Sequence, residues 1–244
     1  MSDDLSRRAE LAANLHDVRA RIAAACAAAG RRPEDVTLIA VTKTWPTADC
    51  FHLRELGVVD LAENRDQEAR QKAREVKAQE TPELADGVRW HFVGQLQTNK
   101  ARSVASYASV VQSVDRASLV TALSEGAVRA ERVVQVLVQV SFAADGDPHR
   151  GGADPLALPE LAGQVACADG LVLGGLMAVA PLGADPFPAF TRLAELGAVL
   201  VEQHPRATML SAGMSGDLEA AIAAGATHVR VGTALLGPRA ALLG

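Results

Sequence analysis

Of the 24 basic side chains in this chain only four are lysines, at positions 43, 72, 77 and 100, and Lys43 ends the apolar run Val36-Thr37-Leu38-Ile39-Ala40-Val41-Thr42-Lys43. Arginine serves elsewhere as the generic cation, so a lysine at this place invites a property that arginine lacks, imine formation with an aldehyde. Desolvation beside a buried strand favours the neutral amine that this chemistry uses. The alternative is a solvated lysine that merely closes a strand. A second group lies in Leu210-Ser211-Ala212-Gly213-Met214-Ser215-Gly216-Asp217-Leu218, which reads as a strand, a small-residue turn and a helix with Ser215 as its N-cap. Free backbone N–H groups at such a start suit an anion, with ordinary capping as the alternative. Gly232 and Thr233 add small groups that let a phosphate approach the backbone.

The run His228-Val229-Arg230-Val231-Gly232 alternates in the manner of a strand. If its valines meet helices, Arg230 points inward, where an unpaired guanidinium is costly. A structural salt bridge satisfies it, or a ligand acceptor such as a ring nitrogen does. An amine for an aldehyde, small loops for a phosphate and an arginine for a ring nitrogen together describe one ligand, pyridoxal 5′-phosphate.

The elements that must position these residues follow from periodicity. Leu5, Leu11, Leu15, Val18 and Ile22 recur at helical spacing in an opening helix over 4–29, which Gly30 stops. Strands are predicted over 36–43, 57–63, 89–95, 109–114, 133–141, 171–179, 208–212 and 228–232, with helical or polar connections between most of them. Eight strands alternating with helices within about 250 residues point to an α/β chain with a single (β/α)8 TIM-type barrel and an extra N-terminal helix, spanning 1–244 as one domain; a doubly wound sheet is the alternative. Barrel chemistry belongs at the C-terminal ends of the strands, and Ile39, Val41 and Lys43 share one face by parity. His91 and His228 read as structural histidines. Lys100 and Arg102 read as a solvated helix start, and the alternating charges from Asp66 to Lys77 as an exposed helix face.

Composition narrows the class. With 49% hydrophobic residues the chain fills a sizeable core, and a net charge of −5 with mixed signs disfavours nucleic acid as a partner. The polar N-terminus and the lack of a long apolar stretch predict neither a secretory leader nor a membrane span. Cys26, Cys50 and Cys167, widely spaced, fit small buried hydrophobes of a cytoplasmic protein rather than a metal site.

Five segments in order resemble the pyridoxal phosphate homeostasis family, whose barrel is related to the alanine racemase N-terminal domain. They are Leu38-Ile39-Ala40-Val41-Thr42-Lys43, Ala62-Glu63-Asn64-Arg65-Asp66-Gln67-Glu68, Trp90 through Lys100, Gly175-Leu176-Met177-Ala178, and Ser211-Ala212-Gly213-Met214-Ser215 running on to Arg230-Val231-Gly232-Thr233. The resemblance implies a Schiff base on Lys43, Asn64 near the cofactor, a phosphate held by Ser211, Met214, Ser215, Gly232 and Thr233, and Arg230 facing the pyridine nitrogen. Ala62 and Arg65 stand where that family has a glycine and an aromatic residue. Arg150-Gly151-Gly152 replaces a Lys-x-Gly in the loop over 144–152.

Three features set this reading apart from an enzyme. Racemisation needs acid/base groups on both faces of the cofactor, supplied in the racemases by a tyrosine from an extra β domain, and this chain ends shortly after strand eight. Its single tyrosine, Tyr107, falls in a helical region before strand four. An arginine at the ring nitrogen leaves the pyridine a poor electron sink. The expectation is a monomeric protein that holds pyridoxal phosphate and delivers it to apo-enzymes. A weak amino-acid racemase using Lys43 as base is one alternative, and a barrel that binds another phosphorylated ligand without covalent chemistry is a second.

Overall fold

Leu11, Leu15, Val18, Ile22 and Cys26 line one stripe of helix α1 (Ser2–Ala28) and are buried, whereas Leu5 lies off that stripe and is 65% exposed. The helix stops at Gly30, where the Arg31 N–H turns back to the Cys26 carbonyl at 2.9 Å. The computed structural model describes residues 2–79, 87–142 and 151–238.

Eight parallel strands follow and close on themselves in sequence order: β1 (Thr37–Val41), β2 (Asp60–Glu63), β3 (Arg89–Phe92), β4 (Val110–Val114), β5 (Val134–Val140), β6 (Leu171–Ala178), β7 (Met209–Ser211) and β8 (His228–Val231). The helices between and after them are α2 (Thr47–Glu55), α3 (Asp66–Ala78), α4 (Ala101–Ala105), α5 (Ala117–Arg129), α6 (Leu158–Ala166), α7 (Phe187–Gln203), α8 (Leu218–Ala223) and α9 (Thr233–Leu236). This is the predicted (β/α)8 barrel, with α1 as the extra helix, packed on α2, α8 and α9.

Strand alternation separates helix-facing side chains, which form two clusters, from those that point into the barrel. Ala40, Leu61, Val229 and Val231 face α1 and its neighbours, and Val111, Val136, Val138 and Leu176 pack with the helices on the far side. Val110, Leu137 and Met177 fill part of the barrel interior against Met209. Two sequence expectations are corrected. Cys167 is exposed, unlike Cys26 and Cys50. Lys72 on α3 is buried, so the charged helix is not solvated all round. Among the described residues no helix is long and apolar enough to cross a membrane.

Candidate functional site

Strand β1 ends at Val41, two residues earlier than predicted, so Lys43 stands in the turn just past its C-terminal end. Thr42 points outward: its hydroxyl donates to Glu63 Oε1 at 2.6 Å, and its carbonyl accepts from Lys72 Nζ at 2.8 Å. Lys43 is therefore turned to the opposite side, over the barrel mouth. The register Ala40 with Leu61 and Val41 with Ala62, continued two residues, sets Asn64 beside Lys43. Lys43 is half-buried and makes no hydrogen bond or ion pair among the described residues.

The backbone immediately after it is strained. Thr44, a β-branched residue, adopts φ 69°, a conformation that costs on the order of 1–3 kcal/mol unless its surroundings impose it. Its N–H donates to Glu68 Oε1 at 2.6 Å, and that same oxygen accepts from Lys72 Nζ at 2.7 Å. Burial opposes the charge on Lys72, but the Glu63 and Glu68 carboxylates outweigh it and hold the ammonium above its ordinary range.

Arg230 lies below the mouth, inside the barrel and 4% exposed, as the outward valines require. Its Nη1 donates to Ser211 Oγ at 2.8 Å and its Nη2 to the Ala178 carbonyl at 3.0 Å. Among the described residues it has no carboxylate partner, and burial lowers its pKa to about 10. Ser211 Oγ in turn donates to Gln112 Oε1 at 2.7 Å, Gln112 Nε2 meets His91 Nδ1 at 2.9 Å, and His91 Nε2 meets Asp60 Oδ1 at 2.9 Å. A hydrogen-bonded chain thus crosses the interior from Asp60 to Arg230. Since Gln112 Nε2 donates to His91 Nδ1, the His91 proton sits on Nε2, facing Asp60.

At the anion end the residues converge but their roles divide. Ser211 is fully buried beside Arg230 and Gln112, so its hydroxyl sits below the loop rather than in it. Helix α8 starts two residues later than the sequence suggests, with Asp217 and not Ser215 at its N-cap. The Asp217 carboxylate accepts the Met214 N–H at 2.5 Å and thereby removes that donor. Ser215 Oγ instead accepts the Ala234 N–H at 3.2 Å, which ties the loop after β7 to the loop after β8. The N–H groups of Ser215, Gly216 and Thr233 find no acceptor among the described residues. Gly213 has φ 87°, and a Cβ there would lie 2.6 Å from the Ala221 Cβ, so only glycine threads this turn against α8. Gly232 packs beside Val41, near enough that an added Cβ would stand 3.5 Å from the Val41 carbonyl oxygen.

The structure therefore gathers Lys43, Asn64, Met214, Ser215, Gly232 and Thr233 at one end of the barrel, with Arg230 and Ser211 beneath them. An unpaired amine, a buried cation lacking a carboxylate and three free N–H groups fit a ligand with an aldehyde, a ring acceptor and a phosphate. Ala62 is fully buried, and Arg65 is exposed at the start of α3. Arg150 lies outside the described residues, as do positions 144–149 of its loop; Gly152 donates its N–H to Asp115 Oδ2 at 3.3 Å. Tyr107 packs outside the barrel against the helix-facing clusters, its hydroxyl 3.4 Å from Asp66 Oδ1 at the start of α3.

Gly94, after β3, is part of the same frame. A Cβ there would lie 2.2 Å from the Asn64 backbone oxygen. Gly94→Ala is expected to cost roughly 3 kcal/mol and to displace Asn64, visible as a lower thermal midpoint together with weaker ligand binding; unchanged values of both would overturn this placement. His228, half-buried with Nδ1 2.8 Å from Thr227 Oγ1, has its pKa pushed down to about 4, chiefly by burial. The unfolded chain takes up this proton first, so stability falls as the pH drops from about 6.5 to about 4, by roughly 3 kcal/mol. His228→Gln should flatten that slope in denaturant titrations at a series of pH values; an unaltered slope would assign it to other groups.

The model of the alanine racemase N-terminal domain matches residues 10–240. A curated pyridoxal phosphate homeostasis protein of Mycobacterium tuberculosis is 44% identical over 256 residues, covering 98% of both chains. A solved protein from Bifidobacterium adolescentis, described as unknown, superposes with a TM-score of 0.86 at 32% identity, covering 94% of this chain and 96% of its own. PipY of Synechococcus elongatus, solved with pyridoxal phosphate bound, gives a TM-score of 0.77 at 33% identity, covering 93% of this chain and all of its own.

Proposed function

Since this chain belongs to the pyridoxal phosphate homeostasis proteins, a family built on the alanine racemase N-terminal domain, we propose that it holds pyridoxal 5′-phosphate reversibly on Lys43 and delivers it within the cytoplasm, without turnover of a substrate. The observation that carries this reading is the pairing of a partnerless lysine at the end of β1 with a buried Arg230 that has no carboxylate partner among the described residues. When bound, the cofactor would supply an aldehyde carbon with which the Lys43 amine could form a C=N bond, the oxygen leaving as water. Arg230 offers N–H donors to the ring nitrogen and, being positive, keeps that nitrogen unprotonated. Ser211 acts here through Arg230, fixing the guanidinium rather than touching phosphate. Ser215, Gly216 and Thr233 present N–H groups to the phosphate, and Asn64 flanks the amine.

A carrier must release as well as bind, and the arrangement suits release. The bound aldehyde remains electrophilic, and an incoming amine displaces Lys43 by exchange. The test is an absorption spectrum of the purified protein with added pyridoxal phosphate, before and after borohydride, with peptide mapping. A visible band that bleaches to leave a pyridoxyl group on Lys43 supports the proposal. A band with the adduct on Lys72, Lys77 or Lys100 rejects the anchor, and racemisation of either alanine enantiomer at enzymatic rates rejects the carrier role.

A further inference from the structure

A second cationic site lies at the opposite end of the barrel. Arg70, Arg74 and Lys77 follow one another at steps of four and three on α3, forming a stripe of like charge that costs the helix a few tenths of a kcal/mol per pair. Arg132, from the turn before β5, meets them across a cleft of about 400 Å³ floored by Trp90 and Tyr107. Its Nη2 donates to the Tyr107 and Ala108 carbonyls at 3.3 and 3.2 Å, while its Nε is buried with no partner.

Among the described residues no carboxylate lines this cleft and none of its four cations forms an ion pair. Arg8, Arg21, Arg32 and Arg192 each stand within 3 Å of a carboxylate oxygen, whereas Arg19, Arg65, Arg102, Arg129 and Arg206 are exposed and form no ion pair among the described residues, so what sets this group apart is the convergence of four cations on one cleft. In a chain of net charge −5, four cations converging on one cleft whose described lining holds no carboxylate form an arrangement suited to an anion. Guanidinium forks match phosphate oxygens in pairs, and the cleft's size suits a small molecule rather than a single ion.

We propose that this cleft binds a small molecule bearing a polyphosphate chain, with the phosphates on Arg70, Arg74, Lys77 and Arg132 and any ring against Tyr107. The cleft opens at the N-terminal ends of β3, β4 and β5, whereas Lys43 stands past the C-terminal end of β1, so the two sites are separate. The proposal does not depend on what Lys43 holds.

The experiment is isothermal titration of the full chain with sodium triphosphate and, separately, with adenosine triphosphate, each without added metal. Both probes are expected to bind at one site per chain, more weakly as salt is raised. Equal affinity assigns recognition to the phosphates alone, and tighter nucleotide binding adds a ring contact. Arg74 and Lys77 are exposed, so the double charge reversal Arg74→Glu with Lys77→Glu leaves the core untouched and should weaken both probes at least tenfold. Pyridoxal phosphate binding and the thermal midpoint should be unchanged. Absence of binding, binding indifferent to the double reversal, or displacement of triphosphate by one equivalent of pyridoxal phosphate would overturn the proposal.

Discussion

Lys43→Ala is expected to remove the visible absorbance that pyridoxal phosphate develops on the wild-type protein, and to raise its Kd by at least about 100-fold, roughly 3 kcal/mol. The loss is large because the covalent bond has no substitute. Lys72 has its three hydrogen bonds committed to Thr42, Glu63 and Glu68, and it stands on the outer side of β1. The remaining phosphate and ring contacts would hold the cofactor only as an ordinary ligand. The fold should not suffer, because Lys43 is half-buried and makes no polar contact among the described residues; a change within about 0.5 kcal/mol is the normal result at such a position. The thermal midpoint of the variant without ligand should match that of the wild type, while the stabilisation that the cofactor gives the wild type should largely vanish. A retained band would move the anchor to another lysine.

Parity made much of this legible in the sequence. Valines at 229 and 231 implied an inward Arg230, and eight alternating segments implied the closed barrel, because period two and the βαβ rhythm are local properties. The interior chain was not legible, since Asp60, His91, Gln112 and Ser211 come from four strands and meet only through the register that closure imposes. Ser211 did carry a signal: its place on the inward face of β7 sets it deeper than a loop residue. Ser215 was assigned the N-cap position that Asp217, two residues on, occupies instead, with its carboxylate turned to the Met214 N–H rather than to the first turn of the helix. Lys72 was misread as part of a solvated face. Ala69, Ala73 and Val76 share its side of α3, and that small apolar stripe was the available sign that a lysine there would be buried.

That buried lysine gives the largest expected loss of stability. Lys72 Nζ lies 2.7 Å from Glu63 Oε1, and the two side chains are 5% and 1% exposed. Glu63 Oε2 is buried without a partner, so Lys72 is the only cation compensating that carboxylate among the described residues. Lys72→Met keeps most of the volume and removes the charge, leaving Glu63 and Glu68 facing each other; breaking a buried pair from one side costs about 3–5 kcal/mol. For a chain of this length the thermal midpoint should fall by roughly 10 °C. The functional consequence follows from Glu68. Without Lys72 its carboxylate is free to swing away from the Thr44 N–H, the left-handed conformation at Thr44 loses its restraint, and the amine beside it loses its aim. Pyridoxal phosphate should bind the folded variant more weakly although Lys72 touches none of the residues assigned to the cofactor. Adding Glu63→Gln to the variant removes the stranded charge and should recover part of the midpoint but little of the binding, because Glu68 remains unheld. A midpoint within about 2 °C of wild type would show that the pair contributes little, and full binding in a destabilised variant would show that Thr44 holds its conformation by other means.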